Sequence, residues 1–394
     1  MKTINKEVIL NAERYLSDKK FTREVLEAAL KEALKKIDKL WEDVDGNFPT
    51  PASEKNIYKI VYNHKSKGWA TGFMTGMLWL AYEATGDEKY REWALSQIPS
   101  FYDRIEKKSG VNHHDMGFLY VPSCVAAYKL TGSELGKKAA LMAADHLLTR
   151  YIEPGGYIQA WGDVGEHPRL IIDCMNNIPL LYWASEVTGN KNYYDKAVNH
   201  AKATIENIIR PDASTFHTFY FNHDGSPDKG TTRQGKSDDS CWARGQAWIV
   251  SGLPLTYKYV KDDSMIELFE KITNYFINRL PADFVPYWDL VFTDGDPEER
   301  DSSAASIAVC GLLEMLPHIK DEEVKALYEG VIDKIMYSLY ENYSTKDVPE
   351  SNGLLLHAVY NKPDGVGVDE CNIWGCYYYM EALVRMLKGT KAYW

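Results

Sequence analysis

The sequence predicts an all-α fold: a closed (α/α)6 barrel of six helical hairpins with short β segments in its loops. Three observations carry this expectation. Apolar residues recur at helical spacing nearly throughout, a Thr-Gly punctuation repeats, and long loops rich in Gly, His, Trp and Asp interrupt the helices. Phe73, Met77, Leu80, Ala81 and Ala84 form one stripe at i, i+4, i+7, i+8 and i+11. Ile171 and Ile172 lead a second apolar stretch through Leu180 and Leu181, and Leu312, Leu313, Met315 and Leu316 mark a third. Strand-like alternation is scarce, with 216–221 and 353–360 as the main candidates.

The hairpins are read from their turns. LAYEATGDEKY, AAYKLTGSELG and YWASEVTGNKNYY each end an apolar helix in Thr-Gly and continue with a capping residue, Asp87, Ser133 or Asn190. The glycine takes the left-handed position that ends a helix, and the short polar side chain starts the next one. Looser turns at 261–263, 318–321 and 388–390 bring the expected hairpins to six. An open solenoid that only stacks neighbours needs no long loops, whereas a ring with a pocket at one end does. No Pro/Ser/Gly tract divides the chain, so residues 1–394 read as one domain, with 1–55 as a leading helical segment packed on it.

Composition narrows the function. With 45% hydrophobic and 26% charged residues the chain can bury a large core, which excludes disorder. No apolar run reaches the ~18–20 residues that span a bilayer, and the first twenty residues lack a signal-like apolar stretch. A net charge of −11 disfavours nucleic acid as partner. The six cysteines show no CxxC pair or zinc spacing, which reads as reduced thiols in a cytoplasmic protein. Aromatic residues make up 13% of the chain, including 11 Trp, and ring faces suit the C–H faces of sugars as well as a helical core.

Four segments concentrate polar and aromatic groups. In Asn112-His113-His114-Asp115-Met116-Gly117-Phe118 the HHD run admits a metal or a hydrogen-bonded cap, without further ligands at a recognisable spacing. In 169–177, Asp173 sits in an apolar run and must be paired, with Arg169 for example, or keep its proton as a general acid. In 217–248, Arg233, Lys236 and Arg244 reverse the local charge beside His217, Gln234, Trp242 and Trp248. This suits an anionic sugar, or salt bridges to Asp238 and Asp239. In 368–375, Asp369 and Glu370 read as acidic residues opening the last helix. Two carboxylates, cations and tryptophans outline a glycosidase-like site.

At these residues the sequence resembles the unsaturated glucuronyl hydrolases of glycoside hydrolase family 88. The likeness runs from about Asn63 to Arg385 and rests on Trp69-Ala-Thr-Gly-Phe, NHHDMGF, IIDCMNN, HTFYF, SDDSCWARGQAW and DECNIWG in order. The resemblance implies an (α/α)6 barrel, Asp173 as acid/base and Asp115 as its essential partner carboxylate. Trp69, Trp161, His217, Gln234, Arg244, Trp248 and Tyr360 match substrate-contact positions, and His114, Arg233 and Trp374 complete the expected sugar-binding set. The implied partner is an oligosaccharide ending in a 4,5-unsaturated uronic acid, a lyase product of chondroitin, hyaluronan or heparin. No metal or organic cofactor is expected. The alternatives are an unsaturated rhamnogalacturonyl hydrolase acting on pectin fragments, and a non-catalytic sugar-binding barrel. Family members that favour sulfated disaccharides carry two serines and a lysine before DECNIWG, where this sequence has Asn361, Asp364 and Val366.

Overall fold

The computed structural model describes residues 3–61 and 68–394. Asn63, where the resemblance begins, lies outside them. In chain order the helices are α1 (Glu13–Leu16), α2 (Arg23–Asp43), α3 (Thr71–Thr85), α4 (Glu88–Glu106), α5 (Met116–Tyr120), α6 (Ala126–Thr131) and α7 (Glu134–Leu148). Then follow α8 (Pro179–Thr188), α9 (Lys191–Ile208), α10 (Ala243–Val260), α11 (Ser264–Ile277), α12 (Ser302–Met315), α13 (Glu322–Asn342) and α14 (Ile373–Lys388). A π-helical turn, Val121–Val125, joins α5 to α6.

Two classes of helix follow from side-chain pattern. Helices α3, α10, α12 and α14 are buried on almost every side. Helices α2, α4, α7, α9 and α11 bury one stripe and expose the rest. A helix apolar all round belongs inside, and a striped one belongs outside. The inner helices contact in sequence α3, α5–α6, α8, α10, α12, α14, and α14 returns to α3, which closes the ring.

The predicted turns form as expected. Gly86, Gly132 and Gly189 take φ values of 72°, 71° and 73° at the ends of α3, α6 and α8. Asp87, Ser133 and Asn190 then accept hydrogen bonds from Lys89, Gly136 and Asn192 N–H groups. The sixth hairpin is a correction. Gly389 ends α14, but no helix follows it; the outer partner of α14 is α2, from the other end of the chain. The leading segment is therefore part of the ring. Asp369 and Glu370 also depart from expectation. They lie in the strand Val366–Glu370, where Asp369 pairs with His357 and Glu370 accepts from Ser53 and the N–H groups of Lys55 and Asn56. Asn372 caps α14 instead.

All six cysteines are free and buried. Among the described residues no helix is long and apolar enough to cross a membrane.

Candidate active site

In this ring every inner-to-outer turn is short, and every outer-to-inner connection is long. The long connections gather at the end where the inner helices begin, so their side chains meet there. They enclose a cavity of about 510 Å³ lined by residues from 69, 115, 161–173, 217–248 and 360–366.

Asp115 and Asp173 come together at its base. Asp115 occupies the cap position of α5, yet its carboxylate makes no capping bond and is left for the cavity. Asp173 lies in a 3-10 turn, Ile172–Asn176, between the strand Arg169–Ile171 and α8. Its neighbours fasten that turn on three sides. Ile172 N–H donates to His217 O (3.0 Å), Asn176 Nδ2 to Trp248 O (2.8 Å), and Asn177 Oδ1 accepts from Phe118 N–H (2.9 Å). Gly117 permits the last contact: a Cβ there would stand 2.3 Å from Asn177 Cα.

His114 lies between the two carboxylates. Its Nε2 is 3.2 Å from Asp115 Oδ1 and 3.5 Å from Asp173 Oδ1, and His113 Nδ1 is 3.1 Å from Asp115 Oδ2. Burial pushes Asp115 upward, but the charge of His114 beside it outweighs this and holds Asp115 well below the usual carboxylate range. Burial pushes Asp173 up to about 7, with the Asp115 charge adding and His114 opposing. Burial lowers His114, but both carboxylates raise it further. The Arg169 pairing does not form; its Nη2 donates to Trp161 O (2.9 Å). His114, Asp115 and Asp173 are also the group whose donor atoms, within 4.8 Å of one another, are close enough to hold a metal ion among the described residues.

The walls combine aromatic side chains with Arg169, Arg233, Arg244 and neutral polar groups. Trp69, Trp161, Trp242, Trp248 and Tyr360 line the cavity, with Trp69 Nε1 donating to Tyr360 Oη (3.0 Å) and Trp161 stacked on His113 (4.4 Å between centroids). Burial, with Arg244 and Arg233 nearby, pushes His217 down to about 3, so it is neutral. Arg233 N–H donates to its Nδ1 (3.3 Å), which leaves the ring proton on Nε2. Arg244 Nη2 donates to Gln234 Oε1 (2.8 Å). Because a guanidinium only donates, Gln234 presents its NH₂ to the cavity.

Of the three expected cations, Arg233 and Arg244 line the cavity and Lys236 does not. Arg244 is buried and committed to Asp301 (2.8 Å), Gln234 and the carbonyls of Val359 and Tyr360. Its partner is Asp301, not Asp238 or Asp239. Lys236 lies over the Phe292 ring, off the cavity wall. Arg233 is exposed at the rim of the cavity, 3.5 Å from Asp364. His114 and Trp374 do not line the cavity either. Trp374 backs Trp69 at 4.9 Å and donates to Ser303 Oγ.

Sequence reasoning missed Asp301, Tyr220, Thr231 and Thr232. Tyr220 had a signal: in the strand Thr218–Phe221 it points opposite to Phe219 and Phe221, which are buried. Asp301 had none, because its partner Arg244 arrives from a different inner helix.

A model of Glycosyl Hydrolase Family 88 matches residues 40–390. The chain is 48% identical, over the full length of both, to an unsaturated chondroitin disaccharide hydrolase of Streptococcus pneumoniae. Its fold is similar, with a TM-score of 0.97 and 47% identity over all of both chains, to a crystal structure of unsaturated glucuronyl hydrolase from Streptococcus agalactiae. A crystal structure of a variant of that enzyme complexed with dGlcA-GalNAc6S matches with a TM-score of 0.90 and 44% identity, over 100% of this chain and 99% of the other.

Proposed function

Because the chain belongs to Glycosyl Hydrolase Family 88, a family of glycosidases, we propose that it releases 4,5-unsaturated uronic acid from the non-reducing end of glycosaminoglycan fragments. The observation that carries this reading is the carboxylate pair at the base of an aromatic cavity, with one member ionised and the other protonated near neutrality.

Asp173, as the acid, delivers its proton to C4 of the sugar's double bond. The π electrons form the new C4–H bond, and positive charge develops at C5, shared by the ring oxygen. Water adds to C5 and returns a proton to Asp173, restoring it. The resulting hemiketal opens with cleavage of the bond between C5 and the ring oxygen, giving a C5 ketone and a hemiacetal at C1. That hemiacetal collapses and frees the neighbouring sugar, so the glycosidic bond breaks without attack at C1. The Asp115 anion accepts from the sugar hydroxyls and favours the positive charge. The Gln234 NH₂ and the His217 Nε2–H donate to the substrate's polar groups, and Trp69, Trp161 and Trp248 face its C–H surfaces.

Sulfation is the finer part of the reading. Asn361 Nδ2 donates to Asp364 Oδ2 (2.7 Å), Val366 is exposed, and Lys362 turns away to Glu299. An aspartate and a valine offer a sulfate no donor, so unsulfated chondroitin or hyaluronan disaccharides are cleaved at least as well as 6-sulfated ones.

The test is to mix the protein with unsaturated chondroitin, hyaluronan, heparin and rhamnogalacturonan disaccharides and follow the ultraviolet absorbance of the conjugated double bond. Loss of absorbance with a glycosaminoglycan disaccharide is expected. Binding with the double bond intact would leave a sugar-binding barrel, and turnover of the rhamnogalacturonan substrate alone would move the protein to pectin.

A further inference from the structure

We propose that His114 is a positioning residue that splits the carboxylate pair, holding Asp115 ionised so that the transferable proton resides on Asp173. The proposal rests on the reading of Asp173 as the acid.

His114 is not placed to bind sugar. It does not line the cavity, and its side chain is 2% exposed. It stands behind the two carboxylates with one nitrogen, Nε2, at 3.2 Å from Asp115 and 3.5 Å from Asp173. The pair is asymmetric around it. Asp115 is nearer and also has His113 at 3.1 Å, whereas Asp173 has no second histidine and is partly open to the cavity. Two adjacent carboxylates left alone share one proton, and neither is firmly acid or base. A cation between them favours the ionised form of both, and more strongly that of the nearer one.

Other charged groups face this cluster from the surrounding elements. Arg150, just after α7, opposes a charged His114, and His200 on α9 is pushed down to about 3 by burial and by His114. Arg244 on α10 acts on Asp173, and Asp173 in turn acts on Tyr378 of α14. Among the described residues, His114 alone forms close ion pairs with both carboxylates.

The test is the pH profile of kcat/KM in the wild type and in His114→Gln, which keeps a donor and removes the charge. Asp173 must be protonated to act, so wild-type activity falls as pH rises through about 7. Removing the cation raises both carboxylates. The alkaline limb should therefore move up by about one pH unit or more, and a new acid limb should appear as Asp115 begins to hold a proton. A drop in rate with both limbs unmoved would overturn the proposal. If His114→Gln does not fold, histidine side-chain NMR decides. The His114 titration midpoint should fall in both Asp115→Asn and Asp173→Asn, and an unchanged midpoint would overturn the proposal. Failure of the underlying reading is distinct: Asp173→Asn would then stay active.

Discussion

Replacing Asp173 with asparagine keeps the shape of the side chain and removes its proton. On the proposed mechanism Asp173→Asn should lose ~10²–10⁴-fold in kcat, the usual worth of general acid–base catalysis, while still binding substrate. A loss under about tenfold would dismiss Asp173 as the acid. Asp115→Asn should be severely impaired as well, because the amide places no charge near C5. The same cluster gives a prediction about metals. His114 already lies between the two carboxylates at ion-pair distance, so activity should survive exhaustive treatment with EDTA. Activity abolished by the chelator and restored by a divalent ion would put a metal among His114, Asp115 and Asp173.

Individual elements set the separation of the reacting groups. The turn bearing Asp173 lies against the start of α5 through Gly117, with no room for a methyl group. Gly117→Ala should push the two segments apart, with a destabilisation of ~1–3 kcal/mol from overpacking. Its kcat should fall at least tenfold, since small misplacements cost orders of magnitude. Unchanged kcat in the folded variant would show that the spacing of these segments is not limiting. The hairpin of Ala358–Asn361 and Val366–Glu370 acts at the cavity rim. There Asp364 accepts from Asn361 Nδ2 and lies 3.5 Å from Arg233. The expected outcome is kcat/KM for unsulfated disaccharide at least equal to that for its 6-sulfated partner. Val366→Lys with Asp364→Ser should shift the ratio toward sulfate. A tenfold preference for sulfate in the wild type would refute this role for the hairpin.

At the scale of the molecule, the ring needs closing at the end away from the cavity. Residues 392–394 fold back into it. Trp394 is 1% exposed, stacks parallel to Tyr378 at 6.0 Å, and meets Phe118 and Tyr377 edge-on. Its Nε1 donates to the buried Glu381 (3.0 Å). Phe118 and Tyr378 also touch Trp248 of the cavity wall, so Trp394 lies behind the cavity floor. Trp394→Ala should cost ~3–5 kcal/mol in denaturant unfolding, as large buried aromatics do. A change below ~1 kcal/mol would mean that the surroundings refill the space.

Much of this architecture was legible in the chain because it is local. Helical stripes, Thr-Gly ends and capping residues act within a few residues. The Thr-Gly ends and their caps formed where the spacing placed them, whereas Ile171 and Ile172 fell in a strand and a 3-10 turn ahead of α8. The aspartates were visible too, since a carboxylate in an apolar run or after two histidines is conspicuous. What the tertiary structure alone decided is pairing across the ring. The sixth hairpin joins α14 to α2 because ring closure brings the two ends of the chain together, which no local signal encodes. Arg244 lines the cavity as expected, but its bonds to Asp301 and two carbonyls, distant in sequence, depend on ring closure. His114 moved from sugar contact to a place behind the carboxylates because two separate loops converge on its Nε2. Residue type and spacing fix helices and candidate chemistry, whereas the partner of a buried charge depends on which loops the closed ring brings within a few ångströms.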